Sequence, residues 1–395
     1  MSVEPAARRP PDFAEARNRR QKVRSAGMNP DYWYAVEYDA AIKPGQVVEV
    51  KFWKRSIALF RGTDGRLRAV ENRCAHRQLK LSAGKVDGCN LVCTYHGWCY
   101  DGAGKVVHIP HDLFGREMPR LQVGSYPVKV RYGLVWIFPG DPALAAERRI
   151  PEIPELDGPV GARWGCVPVD FTFHAHHSMI IDNVSDFTHA FLHRKYKPFS
   201  GNARITRLEA EGDKVFVSYD TDVGRGRISQ LFIDHDRIDT SAMDLCYEYP
   251  YQWSNTGGHI KHWLFVLPID ERTTRAFFLF YFSSFKVPFL PIHFPRRAMN
   301  VILRAANRLH IRPLLAQDQV AVELEQQGYE EHFDAPIAEL NPAVNLFQSL
   351  TVRKWEEHLV RAASNEARPS ARSPARDKPA ASSASPETAT PQVVQ

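Results

Sequence analysis

The chain has 395 residues, enough for two domains with tails, and its hydrophobic share of 44% is ordinary for a globular protein. Its 51 Lys and Arg against 45 Asp and Glu leave a net charge of only +6, which does not indicate nucleic-acid binding. No run of 18 apolar residues is present, so the sequence predicts no membrane-spanning helix.

The two ends of the chain differ in composition from the rest. Residues 1–27 carry seven Arg or Lys and no apolar core, which predicts a disordered basic arm rather than a signal peptide, and hence a cytoplasmic protein. Residues 363–395 are rich in Ala, Ser, Pro and Arg, and bury too little apolar surface to fold. We therefore expect a second disordered tail there.

Short strands separated by turns follow the arm and predict an all-β domain over residues 28–150. Thr63-Asp64-Gly65 and residues 101–104 are typical hairpin tips, and a proline-rich stretch after Phe138 marks the domain boundary. The predicted strands are 47–53, 56–61, 67–71 and 133–138.

Residues 151–362 mix strand and helix patterns, and short links between successive strands indicate an antiparallel sheet. The predicted fold class is therefore α+β, with the all-β domain followed by a helix-grip-like domain of antiparallel sheet and helices. Its predicted strands are 203–212, 214–219, 226–233, 243–249, 259–268 and 275–282, and its predicted helices are 178–193, 299–310, 316–329 and 355–363.

Four cysteines crowd into a short stretch beside two histidines, which favours metal binding over disulfides. Cys74-Ala-His76 and Cys93-Thr-Tyr-His96 are separated by 16 residues, and each supplies one thiolate and one imidazole. Such ligands can hold zinc, or a two-iron cluster with both cysteines on one iron and both histidines on the other. The spacing, with Gly97-Trp98 after it, resembles the Rieske family and favours the cluster.

A second motif places Asn183, Asp186, His189 and His193 at offsets 0, 3, 6 and 10, one face of a predicted unbroken helix. Two imidazoles at i and i+4 can hold one metal, and the aspartate one turn earlier can contact a ligand imidazole from behind. Two histidines suit an open site that a distant carboxylate completes, as in the 2-His-1-carboxylate site of non-haem Fe(II) oxygenases.

Together, the two motifs resemble the terminal oxygenase (alpha) component of Rieske non-haem iron oxygenases over about residues 30–360. The resemblance implies a [2Fe-2S] cluster and a mononuclear Fe(II). Its expected cluster ligands are Cys74, His76, Cys93 and His96, and its expected iron ligands are His189, His193 and Asp318.

Asp318 is chosen because Asp318, Glu323 and Gln326 follow the family's Asp, four residues, Glu, two residues, Gln pattern. Weaker candidates for the carboxylate are Asp234, Asp236 and Asp244. Many family members have four residues between the two histidines where this chain has three, and a four-residue gap would reach Arg194, which cannot bind iron.

The resemblance also implies roles for the two other motif residues. Asp186 is similar to the aspartate that links an iron-ligand histidine to a Rieske histidine of the neighbouring subunit, so we expect a head-to-tail homotrimer. Asn183 matches a position near the iron. Both are predicted as catalytic residues.

The expected reaction consumes O2 and electrons that originate in NAD(P)H. The sequence has no G-x-G-x-x-G nucleotide fingerprint, so these electrons must arrive through a separate ferredoxin and/or flavin reductase. The basic residues Arg73, Arg77 and Lys80 either dock an acidic ferredoxin or form an ordinary solvated face.

Aromatic residues indicate the kind of substrate. The aromatic strand 277–282 either walls an apolar pocket or packs in the core, and residues 287–294 form a hydrophobic lip that allows a peripheral membrane contact. These features favour a bulky apolar steroid, sterol-like lipid, tetrapyrrole or polycyclic compound as the substrate. A single-chain oxygenase of this length resembles monooxygenases at least as much as ring dihydroxylases, so we expect monooxygenation or related chemistry (hydroxylation, oxidative demethylation or desaturation). The alternatives are an aromatic-ring cis-dihydroxylating dioxygenase and a Rieske electron-transfer protein.

Overall fold

The computed structural model describes residues 9–157, 164–193, 203–222, 240–283 and 294–366. Within these ranges, no helix is both long and apolar enough to cross a membrane. The predicted strand 226–233 and residues 287–293 of the predicted lip lie outside the described residues.

The chain forms a helix, α1 (Arg19–Ser25), where the sequence predicted a disordered arm. Asn18 caps this helix, because its side-chain oxygen accepts a hydrogen bond of 2.9 Å from the backbone N–H of Gln21. Val23 is fully buried, and Arg24 is buried in ion pairs with later helices. The prediction of disorder is therefore wrong for residues 19–25, since their basic side chains have partners distant in sequence.

The all-β part is built from short antiparallel strands in three small sheets, with the orders β1-β11-β10, β2-β3-β4-β9 and β5-β6-β7-β8. The hairpin tips predicted from the sequence join β3 to β4 and β7 to β8. The strands are β1 (Tyr34–Tyr38), β2 (Val47–Phe52), β3 (Arg55–Arg61), β4 (Leu67–Glu71), β5 (Lys85–Asp87), β6 (Asn90–Val92), β7 (Cys99–Tyr100), β8 (Val106–His108), β9 (Ser125–Tyr126), β10 (Val128–Arg131) and β11 (Leu134–Ile137).

The second part is one antiparallel sheet with the strand order β12-β18-β17-β16-β15-β14-β13, covered by helices. Its strands are β12 (Trp164–Phe173), β13 (Arg204–Glu211), β14 (Lys214–Asp222), β15 (Thr240–Glu248), β16 (Tyr251–Thr256), β17 (Ile260–Pro268) and β18 (Thr274–Ser283). Its helices are α2 (His177–Ser185), α3 (Arg296–Ala306), a π-turn (Asn307–Ile311), α4 (Arg312–His332) and α5 (Pro342–Glu366). The predicted α+β class is confirmed.

In the second part, β12, β16 and α5 differ from the sequence prediction, and α5 begins at Pro342 rather than at residue 355. β12 and β16 were not predicted, and residues 254–256 of β16 were interpreted as a turn. α5 continues to Glu366, so residues 363–366 of the predicted tail are helical. Ala362 and Ala363 favour this continuation, since alanine is the best helix former.

One face of the large sheet is directed at the helices. Three hydrogen bonds tie it to α2 or to the segment before it: Thr274 to the Ala175 carbonyl, Gln252 to the Ile181 carbonyl and Tyr219 to the Ser185 carbonyl, at 2.9, 3.1 and 3.0 Å. These strands are β18, β16 and β14, so α2 crosses the sheet obliquely. The residues after α2 therefore lie on the helix-covered face of the sheet.

Candidate metal centres

The predicted motif helix is interrupted before its histidines. α2 ends at Ser185, Asp186 is extended (φ −108°, ψ 98°), and a 3-10 turn spans His189–Phe191. The Asp186 carboxylate accepts hydrogen bonds from the Thr188 backbone N–H and hydroxyl at 2.9 and 2.7 Å. The prediction of an unbroken helix is wrong, because these local side-chain bonds compete with helical ones.

His189, His193 and Asp318 nevertheless converge, with one potential ligand atom from each within 4.8 Å of the others. Asp318 Oδ1 lies 3.6 Å from His189 Nε2 and 3.2 Å from His193 Nε2. Two imidazoles and one carboxylate on one side of a site fit an octahedral Fe(II) with open positions. Asp318, the third ligand expected from the sequence, is therefore brought to the two histidines.

The other ring nitrogen of each histidine has its own acceptor. His193 Nδ1 lies 3.0 Å from Gln317 Oε1, and His189 Nδ1 contacts the backbone carbonyl of Asp186. A donated Nδ1–H leaves the Nε2 lone pair free for a metal. The expected support of His189 by residue 186 thus comes from the backbone carbonyl of that residue. Gln317 was not predicted as a functional residue, and the sequence indicated it only by its position next to Asp318.

Burial and charge act differently on the two imidazoles. Burial lowers the pKa of His189, which favours the neutral form that binds metal. Burial is the largest single effect on His193 and opposes its protonation too, but the hydrogen bond with Asp318, the charge of that carboxylate and the hydrogen bond with Gln317 together raise the pKa of His193. A bound divalent cation would take the place of that proton.

Asn183 and α4 determine the position of the carboxylate. Asn183 Nδ2 donates to Asp318 Oδ1 at 3.4 Å from the C-terminal part of α2. Further along α4, Glu323 and Gln326 accept hydrogen bonds of 3.0 Å from the backbone N–H groups of His174 and His176. The Asp-Glu-Gln spacing seen in the sequence therefore places Asp318 at the metal site, while Glu323 and Gln326 bind the segment between β12 and α2.

The histidines around the start of α2 differ in burial. His174 is exposed, whereas His176 and His177, the latter the first residue of α2, are buried. His177 Nε2 donates to the Ala26 carbonyl at 2.7 Å. These two imidazoles pack against Trp53, with ring centroids 6.1 and 5.9 Å from it, and belong to the core.

The other candidate centre lies in the all-β part, on two loops. Cys74 follows β4 and Cys93 follows β6, and both are buried. The rings of His76 and His96 lie with centroids 4.6 Å apart. The Tyr100 hydroxyl lies 3.1 Å from Cys74 Sγ. The two imidazoles are therefore brought together, and the thiols of Cys74 and Cys93 interact with each other.

The second loop is shaped by Gly97 and Trp98. Gly97 has φ +71°, and a Cβ there would come within 2.5 Å of Pro110, so no other residue fits this turn. Trp98 stacks on His76 at a centroid distance of 4.8 Å and an interplanar angle of 5°. The stacking of the Trp98 ring on the His76 ring holds the imidazole of His76 in its orientation.

Polar atoms of this centre fit a bound inorganic group. His76 Nδ1 is inaccessible to water and has no hydrogen-bond partner among the described residues. Burial raises the pKa of the Cys93 thiol, so a thiolate there needs a cation. A buried orphan imidazole nitrogen beside two buried thiols matches the donor set of a Cys2His2-bound iron–sulfur cluster.

An N-terminal β domain with this donor set, followed by an antiparallel sheet with a 2-His-1-carboxylate group, defines an oxygenase with two iron centres. Residues 32–117 match the family described as "Rieske [2Fe-2S] domain", and residues 173–362 match "Vanillate O-demethylase oxygenase C-terminal domain". The chain belongs to the Rieske non-haem iron oxygenases, as a terminal oxygenase component.

Relatives and solved structures agree with this family. The chain is 48% identical over 342 residues to 4beta-methylsterol monooxygenase of Methylococcus capsulatus, which covers 86% of this chain and 92% of that protein. It is 36% identical over 159 residues to the oxygenase component of dicamba O-demethylase from Stenotrophomonas maltophilia, 40% of this chain and 45% of that one. The crystal structure of dicamba monooxygenase bound to dicamba matches with a TM-score of 0.64 and 20% identity, over 86% of this chain and all of that chain.

Family membership decides several open points. The match to a Rieske [2Fe-2S] domain confirms the cluster over zinc, and the protein is an oxidoreductase of a family that uses a non-haem iron, as predicted. Its relatives are named as monooxygenases or oxygenase components, which favours monooxygenation and fits a system with a separate electron-donating component.

Proposed function

We propose that this chain is the terminal oxygenase of a system that monooxygenates a bulky, ring-fused apolar substrate of the methylated sterol class. The observation that carries the proposal is the 48% identity to a 4beta-methylsterol monooxygenase along nearly the whole of both chains. A relationship over 342 residues spans both iron centres and the large sheet. Hydroxylation and oxidative demethylation are the monooxygenations that this proposal includes, and desaturation, in which both oxygen atoms leave as water, is the related alternative.

The sheet supplies an apolar wall that suits such a substrate. On β18, Phe278 and Phe280 point to the helix-covered face and pair with Val169 and Val167 of β12. Tyr281 points to the opposite face and packs on Trp164, with ring centroids 5.6 Å apart. Phe280 stays half-buried although β18 is an inner strand. The predicted aromatic strand thus divides into one set for packing and one set that faces the iron side.

The chain's own residues prepare the iron side. His189, His193 and Asp318 would hold Fe(II), Gln317 and the Asp186 carbonyl orient the two imidazoles, and Asn183 donates to the carboxylate. When bound, the iron supplies the place where O2 is activated, and the cluster supplies electrons that originate in NAD(P)H.

The ferredoxin or flavin reductase would dock near the cluster. Arg73 and Lys80 already pair with Glu71 and Glu49, at 2.7 and 2.9 Å, so their charge is compensated locally. Arg77 is exposed and lies over the Tyr95 ring. This leaves Arg77 as the best candidate of the three for an acidic partner.

The proposal includes a head-to-tail homotrimer in which Asp186 links two protomers. Its carboxylate is half-buried and held by Thr188 and by Asn341 Nδ2, at 3.0 Å for the latter. The cluster histidines are half-buried too, and Tyr95 beside them is 56% exposed. Both ends of the proposed link are therefore accessible to a second protomer. The peripheral membrane contact expected from residues 287–294 also stays a proposal.

Oxygen-18 gas tests the reaction. The chain, a compatible reductase and a 4-methylsterol should give a product with one labelled oxygen atom, and His189→Ala should give none while keeping the cluster's visible absorption. Exposed His259 supplies the matched control, and His259→Ala should behave as the wild type. A cis-diol with two labelled atoms would instead make the protein a dioxygenase. Absence of any oxidised sterol from a fully iron-loaded, reducible enzyme would refute the sterol class.

A further inference from the structure

The two ring nitrogens of His262 on β17 differ in whether they have a hydrogen-bond partner. Nδ1 lies 2.6 Å from the hydroxyl of Ser254, the residue of β16 that pairs directly with His262. Nε2 is inaccessible to water and has no hydrogen-bond partner in the described ranges. Burial lowers the pKa of His262 to about 4, so the ring is neutral.

This unpaired nitrogen lies on the helix-covered face of the sheet. Because strand residues alternate between faces, Ser254 shares its face with Gln252, whose Nε2 donates to the Ile181 carbonyl of α2. The Oε1 atom of Gln252 is likewise buried without a partner among the described residues. Two residues after Ile181, Asn183 reaches Asp318. The unpaired polar atoms therefore face the same side as the iron ligands.

Apolar groups surround His262 and lead toward the iron. Its ring centroid lies 5.0 Å from Phe280 and 6.2 Å from Phe278. Phe280 and Ile311 pack on one small cluster that includes Met299 and Leu303. Ile311 precedes Asp318 by seven residues, two helical turns, which is roughly 10 Å along one face of α4. His262 and Phe280 are half-buried although β17 and β18 are inner strands of the sheet.

A polar atom enclosed among phenylalanines without a partner is unfavourable, and in native proteins such atoms usually serve a ligand. Ser254 can donate to or accept from Nδ1, so Nε2 can be an acceptor or a donor in turn. A hydroxyl group complements both states, whereas a carbonyl or a carboxylate complements only the donor. A neutral histidine in apolar surroundings also disfavours an anionic ligand.

We propose that His262, oriented by Ser254, hydrogen-bonds a hydroxyl group of the substrate and thereby sets which carbon of an apolar ring system faces the iron. This inference rests on the proposed function for its substrate class, and it assigns the polar anchor that the proposed function lacks. His262 is thus a substrate-binding residue that determines specificity, and Ser254 is a positioning residue.

Equilibrium dialysis of the iron-loaded protein tests the anchor without turnover. Two ligand pairs differ only in a hydroxyl group: a 4-methylsterol with its deoxy analogue, and 1-hydroxypyrene with pyrene. The wild type should bind the hydroxylated member of at least one pair roughly tenfold more tightly, the value of one hydrogen bond. His262→Phe should bind both members alike, with the deoxy member bound as by the wild type.

Further variants separate an anchor from a structural role. His262→Gln keeps a donor and an acceptor and should retain most of the preference, and Ser254→Ala should weaken it. The matched control is His259→Phe, because exposed His259 also contacts a serine, Ser283, through Nδ1 at 3.1 Å. This control should keep the full preference. Visible absorption and iron content of every variant verify that both centres are intact.

The outcomes distinguish this inference from the proposed function. A preference that persists in His262→Phe, or a wild type without preference in either pair, would overturn the anchor. A preference confined to the pyrene pair, lost in His262→Phe, would support the anchor while refuting the sterol class. If His262→Phe loses its iron, Ser254→Ala and His262→Gln decide, since an unchanged preference in the first and its loss in the second would contradict a hydrogen bond from His262.

Discussion

Individual imidazoles serve different purposes in this molecule, and their partners show which. His177 is fully buried and donates to the Ala26 carbonyl, so it stabilises the contact between α2 and the end of α1. His193 directs Nε2 at Asp318, as a metal ligand would. Burial is common to both, and the carboxylate distinguishes them. A buried histidine whose ring nitrogen donates to a backbone carbonyl, as His177 does, is a structural residue that must stay neutral.

The neutrality of His177 makes stability depend on pH. Burial lowers its pKa from 6.5 to about 4, so its contribution is complete above pH 6.5 and is lost as the pH falls toward 4. His177→Gln lacks this dependence. The stability advantage of the wild type over His177→Gln should therefore shrink by about 2 kcal/mol between pH 6.5 and pH 5.0.

Urea unfolding of both proteins at each pH, followed by circular dichroism, measures this difference, and effects of the iron centres cancel in the comparison. His332→Gln is the control, because the His332 side chain is 68% exposed. It should show the wild-type pH dependence. A constant difference between wild type and His177→Gln across the range would mean that His177 does not remain neutral in the folded protein.

At the scale of elements, α1 is fastened by one buried arginine. Arg24 contacts Asp182 of α2 and Glu325 of α4, each at 2.8 Å, and its side chain is only 6% exposed. Burial raises the pKa of Asp182 to about 6 despite the facing Arg24, and the ion pair keeps the carboxylate charged at neutral pH. The short helix therefore connects two of the helices that carry or support the iron site.

Arg24→Met should destabilise the protein by about 3–5 kcal/mol, because it leaves Asp182 buried without its counter-charge. The loss should be larger at pH 8 than at pH 6, where Asp182 can take up a proton. Thermal unfolding measures both effects, and adding Asp182→Asn to the variant should recover part of the loss. The control is Arg9→Met, which removes an exposed ion pair with Glu15. Equal stability of the two arginine variants would leave α1 with no role in holding the helices.

The elements also show how far the sequence alone reaches. The candidate cluster residues could be grouped from the sequence because their pattern is local: Cys74 and His76, and likewise Cys93 and His96, share one loop each. The end of α2 at Ser185 could not, since it depends on Asp186 and Thr188 bonding to each other.

α1 and β16 were missed for a different reason. Arg24 finds partners about 160 and 300 residues away in sequence, at Asp182 and Glu325. β16 is polar in its second half, and only pairing with β15 and β17 on both sides makes it a strand. In both cases tertiary contacts decide what local propensity leaves open.

At the scale of the whole molecule, the two iron centres are embedded in different cores. Cys74 and Cys93 belong to a small core with Phe60 and Leu81. The other strands of the all-β part share the large core of the catalytic sheet, where Trp136 meets Phe265 with centroids 4.7 Å apart. The cluster loops can therefore meet a second protomer without disturbing the sheet that positions the iron ligands.

The proposed trimer predicts a result that differs from the one expected if the cluster and the iron of the same chain were linked. Asp186→Asn should keep both iron centres and reduce turnover by roughly 10–100-fold or more, because the link between protomers needs the carboxylate. Cys93→Ser should lose the cluster and keep the mononuclear iron, and it should be inactive as well. Each variant alone therefore lacks one half of the proposed link.

Mixed assemblies formed by co-expressing the two variants decide where the halves must lie. In a head-to-tail ring, a Cys93→Ser protomer keeps its own Asp186 and can face an intact cluster on an Asp186→Asn neighbour. With random mixing, half of the protomers carry Asp186 and half of their neighbours carry a cluster, so roughly a quarter of wild-type activity should return. A link within one chain restores nothing, since every chain then lacks one half. The control is a mixture of the two variants expressed and purified separately, in which subunits have not exchanged. Higher turnover in the co-expressed mixture than in this control indicates a link between protomers, and equal turnover indicates a link within one protomer.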